Sequence, residues 1–262
     1  MKRLENRIAV VTGAGSGMGR AVAERFAEEG AHVYAVDLRA EAADETAGLV
    51  KEAGGSAVAK QLDVTDLEAL RALVDEIERD HGVLHVLHNH AGTPGAGGFN
   101  ASLEDYAETM DVNAKSAYYL TSYALDLLKK ADGKGSVIFT SSISGLVGSP
   151  YSPLYSLAKG GIVVMMKAMA LALARDGVRF NAICPAAVAT PMLRVFFDRE
   201  NTGITQERID EMAEQTVPLG RAADPREIAN AVLFLASDES SYVNAATFVV
   251  DGGLTAAYVT PE

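Results

Sequence analysis

Short β-branched runs and amphipathic stretches alternate along the first 140 residues of this chain. Residues 8–11 form a continuous apolar run of strand length, and 17–29 follow with Val22 and Phe26 about one helical turn apart. The alternation continues with strands predicted over 32–36, 57–62 and 83–87 and helices over 42–53 and 66–80. In the last of these, Leu70, Leu73, Val74 and Ile77 fall on one helical face. Beyond it the pattern predicts a long helix over 113–130, a strand over 137–140, a helix over 156–175 and a strand over 178–184. Asp224 followed by Pro225 marks an N-cap and a first helical position, which opens a helix over 226–236; residues 247–250 read as a last strand. Strands apolar on both faces and separated by helices imply an α/β fold, a doubly wound parallel sheet with right-handed crossovers.

One stretch, 190–217, breaks the alternation. It mixes charged positions with the apolar cluster Met192, Leu193, Val195, Phe196 and Phe197. An insertion between a strand and the next helix lies on the ligand-binding edge of such a sheet, so it is expected to be a substrate lid. No linker, low-complexity tract or internal repeat divides the chain, and 1–262 is read as a single dinucleotide-binding domain. Only the last residues, Thr260, Pro261 and Glu262, look disordered.

Composition narrows the partners. Apolar residues make up 48% of the chain, charged residues 22%, and the formal net charge is -12. That acidity disfavours nucleic acid and anionic membrane surfaces. The single cysteine, Cys184, forms no intrachain disulfide, which suits a reducing compartment. The run at 8–11 is too short for a signal-peptide core, and no stretch approaches the ~20 apolar residues of a membrane span, so the cytoplasm is expected.

Chemistry enters with Thr12-Gly13-Ala14-Gly15-Ser16-Gly17-Met18-Gly19, placed between a strand and a helix. Glycines permit a tight turn and let backbone N–H groups approach a pyrophosphate, toward which the helix directs its positive end. A glycine cluster alone is a weak signal; its place between strand and helix strengthens it. Asp37 ends the second strand, where a carboxylate can accept both ribose hydroxyls of adenosine and repel a 2′-phosphate. NAD is therefore favoured over NADP, although Arg39 nearby can soften the discrimination. A plain turn-capping aspartate is the competing reading.

Tyr155 and Lys159 stand four apart at the start of a helix, hence on one face. A free phenol, with a pKa near ~10, is a poor base at neutral pH. A neighbouring ammonium favours the phenolate, the tuning an acid–base catalyst needs. Such a pair also arises by chance as a surface contact. Ser142, at a strand end, can hydrogen-bond the same substrate oxygen.

Together with Asp63, Asn89-His90-Ala91-Gly92, Asn113, Pro218-Leu219-Gly220-Arg221 and Val250-Asp251-Gly252-Gly253, these motifs resemble the short-chain dehydrogenase/reductase family from Leu4 to about Ala257. The resemblance implies a Rossmann-type fold and an oxidoreductase transferring hydride between a secondary alcohol or ketone and a nicotinamide cofactor. By the same resemblance, Gly13, Gly17 and Gly19 carry the pyrophosphate turn with Ser16 and Met18. Asp63 and Val64 flank the adenine, and Asn89, Ala91 and Gly92 lie against the cofactor. Tyr155 is the acid–base, Lys159 lowers its pKa and holds the nicotinamide ribose, and Ser142 stabilises the substrate oxygen. Asn113 holds a helix kink and a relay water, while Pro185, Val188 and Thr190 line the nicotinamide. A homotetramer is the implied assembly.

The chain departs from the family pattern at His90, Ala186 and Ala245, where asparagine, glycine and glycine are usual. Ala186 raises the question of local geometry beside the nicotinamide. His81, His85, His88 and His90 cluster in sequence, but no ligand set completes a metal site, and none is expected. Cys184 and the Met165, Met166, Met169 stripe read as packing. Two alternatives to an alcohol dehydrogenase are a 3-oxoacyl thioester reductase and a non-catalytic NAD-binding regulatory protein. Phe196 and Phe197 point to an apolar or cyclic substrate.

Overall fold

A computed structural model describes residues 2–198 and 203–256. Four residues of the expected lid, 199–202, and the tail at Thr260, Pro261 and Glu262 lie outside the described residues. The first half of the chain winds β1 (Ile8–Thr12), α1 (Gly17–Glu28), β2 (His32–Asp37), α2 (Ala40–Glu52), β3 (Ser56–Gln61), α3 (Leu67–His81) and β4 (Val86–Asn89). The second half adds α4 (Leu103–Met110), α5 (Ser116–Lys129), β5 (Gly135–Thr140), α6 (Pro153–Leu173) and β6 (Val178–Pro185). It closes with α7 (Pro191–Phe197), α8 (Gln206–Thr216), α9 (Pro225–Ala236) and β7 (Thr247–Val250). The strands form one seven-stranded sheet in the order β3-β2-β1-β4-β5-β6-β7, every pairing parallel. The expected doubly wound sheet is present as a single domain.

Alternate side chains of each strand feed two cores. Val11, Val33 and Ile138 face α1 and α9, packing on Phe26, Ile228 and Val232. Val10, Tyr34 and Phe139 face the other way, onto Leu70, Leu120 and Met166 of α3, α5 and α6. Each fully buried aliphatic or aromatic side chain contributes about 1.5–3 kcal/mol. The reversal of strand order between β1 and β4 leaves a crevice at the carboxyl ends of these central strands, where such sheets bind ligands.

Some boundaries differ from the sequence expectation for identifiable reasons. α3 is capped by Asp66, whose carboxylate accepts from the N–H groups of Glu68 and Ala69, and it ends on Gly82 at φ 69°. The chain then needs Val83 to His85 to turn back, so β4 starts at Val86; on the way, His85 Nδ1 accepts from the Ile8 N–H at 3.1 Å. The helix expected over 113–130 is α5, entered through a π-turn at Asp111–Lys115, and a helix that the pattern did not predict, α4, precedes that turn. α4 opens on a reciprocal capping box between Ser102 and Asp105.

α6 begins at Pro153, earlier than expected, with proline at its first position. Contrary to the sequence expectation, the 24-residue stretch Pro153–Asp176 contains an 18-residue window of mean hydropathy 1.7 and is, by length and composition, long and apolar enough to cross a membrane. Its apolarity has two sources: Ala158, Ile162, Met166 and Ala170 are buried, while Leu157, Val164 and Leu171 are exposed on its outer side. Cys184 is buried as expected.

Of the departures from the family pattern, Ala186 takes no left-handed backbone, whereas Ala245 does, at φ 59°. Two buried arginines receive the carboxyl end of α9. Arg7 donates to the Ala236 carbonyl at 3.2 Å and pairs with Asp238 at 2.6 Å. Arg179 donates to the Leu235 and Ser237 carbonyls at 3.0 and 3.2 Å and to Ser240 Oγ at 2.8 Å.

Candidate active site

The turn between β1 and α1 is built by close backbone approach. Gly17 sits at φ 53°, and a Cβ on Gly19 would come within 2.0 Å of the Gly13 carbonyl oxygen. Only glycine fits there. Ser16, the N-cap residue of α1, makes no side-chain cap bond. The start of the helix, with Ser16, Gly17 and Met18, lines the crevice without that cap, an arrangement suited to a phosphate. Asp37 closes the outer side: its carboxylate accepts the Gly15 N–H at 2.8 Å and the Arg39 N–H at 3.1 Å.

At the other end, Tyr155 and Lys159 are both buried in the first turns of α6, and the Lys159 Nζ lies 5.5 Å from the Tyr155 ring centroid. Nζ donates to the Thr140 carbonyl at 2.9 Å. Burial brings the Lys159 ammonium down from 10.5 to about 8. Ser142 Oγ accepts from the Ser144 N–H at 3.1 Å. From α7, Phe196 sets its ring edge-on to Tyr155, centroids 5.1 Å apart. No residue of α7 is fully buried, and Arg194 holds it to the following segment through the Ile204 carbonyl at 2.7 Å.

A cavity of about 720 Å³ joins the two ends. Of the expected site residues, Gly13, Ser16, Gly17, Met18, Asp37, Ala91, Gly92, Ser142, Tyr155, Lys159, Pro185, Val188 and Thr190 line it. Five others stand behind or beside it. Gly19 packs beneath the turn, and Asn89 is buried and donates to Thr121 Oγ1 at 3.0 Å, tying β4 to α5. Asp63 is exposed, with Oδ1 accepting from both the N–H and the hydroxyl of Thr65 at 2.8 Å, and Val64 packs on the core beside α3. Asn113 occupies the π-turn, where its amide donates to the carbonyls of Thr93 at 3.0 Å and Thr109 at 2.9 Å. A Cβ on Gly92 would meet Asn113 Oδ1 at 2.9 Å. The π-turn therefore presses Asn113 against the segment that carries Gly92 to the cavity.

Several lining residues carried no signal in the sequence. Thr140 holds Lys159 through its carbonyl and meets His88 and His90 through its hydroxyl. Ser144, Ser149 and Tyr151 add hydroxyls to the lining, and Met192, Leu193 and Phe197 add apolar side chains. Among the described residues, no group of three or more His, Cys, Asp or Glu side chains is set to hold a metal.

The site fits a dinucleotide: a backbone cradle that a Cβ would fill, a helix start, a strand-end carboxylate and a buried ammonium share one crevice. A family model described as Enoyl-(Acyl carrier protein) reductase matches residues 13–255. The chain is 39% identical over 261 residues to the meso-2,3-butanediol dehydrogenase of Serratia marcescens, covering 99% of each. It is 37% identical over 256 residues to the 3-oxoacyl-(acyl-carrier-protein) reductase FabG of Thermotoga maritima, covering 96% of this chain and 99% of that one. The crystal structure of levodione reductase superposes with a TM-score of 0.92 at 30% identity, covering 98% of this chain and 100% of that one. This chain belongs to the short-chain dehydrogenase/reductase family, oxidoreductases that bind a nicotinamide cofactor and act on small molecules.

Proposed function

We propose that this enzyme is an NAD-dependent oxidoreductase that interconverts uncharged secondary alcohols and ketones, with Tyr155 as its acid–base. The observation that carries the reading is the meeting of Ser142, Tyr155 and Lys159 with the Gly13–Gly19 turn on one cavity. Ser142 and Tyr155 hold the substrate oxygen, where charge changes along the reaction. In alcohol oxidation the hydroxyl proton moves to the Tyr155 oxygen; in ketone reduction Tyr155 returns it. The Lys159 ammonium favours the phenolate, and the Thr140 carbonyl holds that ammonium at 2.9 Å. When bound, the nicotinamide supplies the hydride acceptor or donor.

Asp37 supports NAD, because a 2′-phosphate beside its carboxylate meets like charge. Arg39 approaches that carboxylate at 3.7 Å but is largely exposed, so it softens the repulsion weakly. Asp37 and Lys159 are the charged side chains on the cavity wall, with His90 brought to about 4 by burial and so neutral. The substrate end thus carries hydroxyls on one side and apolar groups from α7 and α8 on the other. This supports a neutral, apolar or cyclic substrate under a lid formed by 190–217. The likeness to FabG favours a second reading, a 3-oxoacyl thioester reductase. The absence of a cationic side chain on the described lid wall speaks against a phosphorylated acyl carrier.

The exposed apolar side of α6, with Leu157, Val164 and Leu171, supports self-association into the homotetramer. The single, buried Cys184 suits a cytoplasmic setting. The test is NADH formation with a panel of secondary alcohols, run in parallel with NADP and with a 3-hydroxyacyl thioester. Activity on cyclic alcohols with NAD, lowered about 10²–10⁴-fold in Tyr155→Phe, is expected. A Tyr155→Phe enzyme at full rate removes Tyr155 from the chemistry; dinucleotide binding with no turnover on any alcohol, ketone or thioester favours a regulatory protein.

A further inference from the structure

Thr140 Oγ1 lies 2.9 Å from His88 Nε2 and 3.1 Å from His90 Nδ1. A hydroxyl has one proton, and Thr140 Oγ1 has no third partner among the described residues, so it donates to one imidazole and accepts from the other. Both rings are neutral: burial holds His88 well below the usual histidine range and His90 at about 4, with the Lys159 ammonium adding to the second shift. Each ring therefore carries a single N–H. The chain of bonds runs in one of two directions, and His88 decides which. Its Nδ1 is buried with no hydrogen-bond partner. If Thr140 donated to His88 Nε2, the His88 proton would sit on Nδ1 as an orphaned buried N–H, the rarer kind of unpaired group. The opposite direction leaves only a bare lone pair there. The order is then His88 Nε2–H to Thr140 Oγ1, and Thr140 O–H to His90 Nδ1, which puts the His90 proton on Nε2.

That second nitrogen of His90 has no partner among the described residues, and the ring lines the cavity. Its neighbouring Cδ2 lies 3.3 Å from a Cβ built on Gly13 and 2.8 Å from one built on Gly19, so this edge of the ring rests against the pyrophosphate turn. We propose that His88, Thr140 and His90 form a one-way hydrogen-bond chain that fixes His90 as an Nε2–H donor to an oxygen of the cofactor's ribose–pyrophosphate backbone. The proposal rests on the nicotinamide-cofactor reading of the cavity. A neutral donor suits the place: a second cation beside Lys159 would meet like charge, whereas an N–H of fixed direction adds a bond without one. Thr140 thereby orients two groups at once, the Lys159 ammonium through its carbonyl and the His90 ring through its hydroxyl.

Neutron diffraction of the NAD complex reads the tautomer directly. Deuterium on His90 Nε2 and none on Nδ1 is expected; the reverse overturns the proposal. Calorimetry then measures NAD, ADP and nicotinamide mononucleotide binding. His90→Phe, which keeps a ring and loses the donor, is expected to weaken NAD binding about 10- to 100-fold. His90→Asn, which restores an N–H, is expected to recover most of it. Thr140→Val keeps the carbonyl that holds Lys159 and frees the His90 tautomer, for an expected loss of about tenfold. A loss for ADP alone assigns the acceptor to the adenosine side and a loss for the mononucleotide alone to the nicotinamide side; either supports the donor role. A folded His90→Phe protein that binds NAD and both fragments as tightly as wild type overturns it. Wild-type protein that binds no dinucleotide overturns the proposed function itself, and the two failures are thus distinct. If His90→Phe fails to fold, the tautomer still decides.

Discussion

The two ends of the cavity are built by different means. The cofactor end is backbone: Gly13, Gly17 and Gly19 pack so closely that a single methyl on Gly19 would fall 2.0 Å from a carbonyl oxygen. It is pinned by Asp37 on the Gly15 N–H and rests on β1 and β4, whose side chains are largely buried, and on the buried face of α1. The end that we propose as a lid is side chain. α7 has no fully buried residue, α8 buries only Ile209 and Ala213, and the link between them is held by half-exposed polar ties from Arg194 and Asp198. Rigid backbone suits a cofactor shared by every turnover. A lightly anchored wall of apolar side chains suits a substrate that has to enter and leave.

The largest effect expected from testing this contrast is at the rigid end. Gly19→Ala forces β1 and α1 apart and is expected to cost about 3 kcal/mol in denaturant unfolding and to abolish measurable NAD binding. Retained NAD affinity would show that the turn is not the cradle. Next comes Lys159, the buried charge between the two ends. Its folded pKa of about 8 lies below the ordinary 10.5. Between those values the unfolded chain holds a proton that the folded protein has released, so stability rises with pH across that window and the full penalty applies below it. Lys159→Met is therefore expected to raise stability at neutral pH by about 1–3 kcal/mol, even after losing its bond to Thr140, while activity collapses. The gain should vanish above the upper value; a Met variant less stable at neutral pH contradicts the burial argument.

Smaller effects belong to the lid. Phe196→Ala removes the ring set edge-on to Tyr155 and is expected to change KM for cyclic ketones roughly tenfold, with NAD affinity unchanged. A matching change in NAD affinity would erase the distinction between the ends. Smallest is Ala245→Gly, which relieves a left-handed alanine before β7 and is expected to add about 0.5–1 kcal/mol, or roughly 1–4 °C in Tm.

What was legible in the sequence follows the same division. Where backbone geometry restricts residue type, the residue announces itself: Gly13 to Gly19, the capping pair Asp224-Pro225, the apolar strands. Tyr155 and Lys159 were legible through their spacing, because a helix start converts four residues into one face. Thr140 was not, since a threonine at a strand end looks the same whether or not its carbonyl holds an ammonium. α4 was hidden because its box closes with Asp105 in place of glutamate or glutamine, and the π-turn after it has no sequence period of its own. The shape of the proposed lid was illegible because few of its described positions are buried, so few are constrained to be apolar. Asp63 and Asn89 show a further limit. A motif residue can sit next to a site and spend its hydrogen bonds on Thr65 or Thr121.

The paired guanidiniums of Arg7 and Arg179 have a consequence for how the molecule is made. Arg7 meets the Ala236 carbonyl 229 positions along the chain, and Arg179 meets that of Leu235 56 positions along. During vectorial synthesis both charges stay in water, unable to enter the interior, until the end of α9 leaves the ribosome. The first half of the sheet can collapse early, but the face that α9 shares with α1 over the central strands locks only once that helix has been made. Chains released short of that helix are left with two solvated cations where a sealed interior should be.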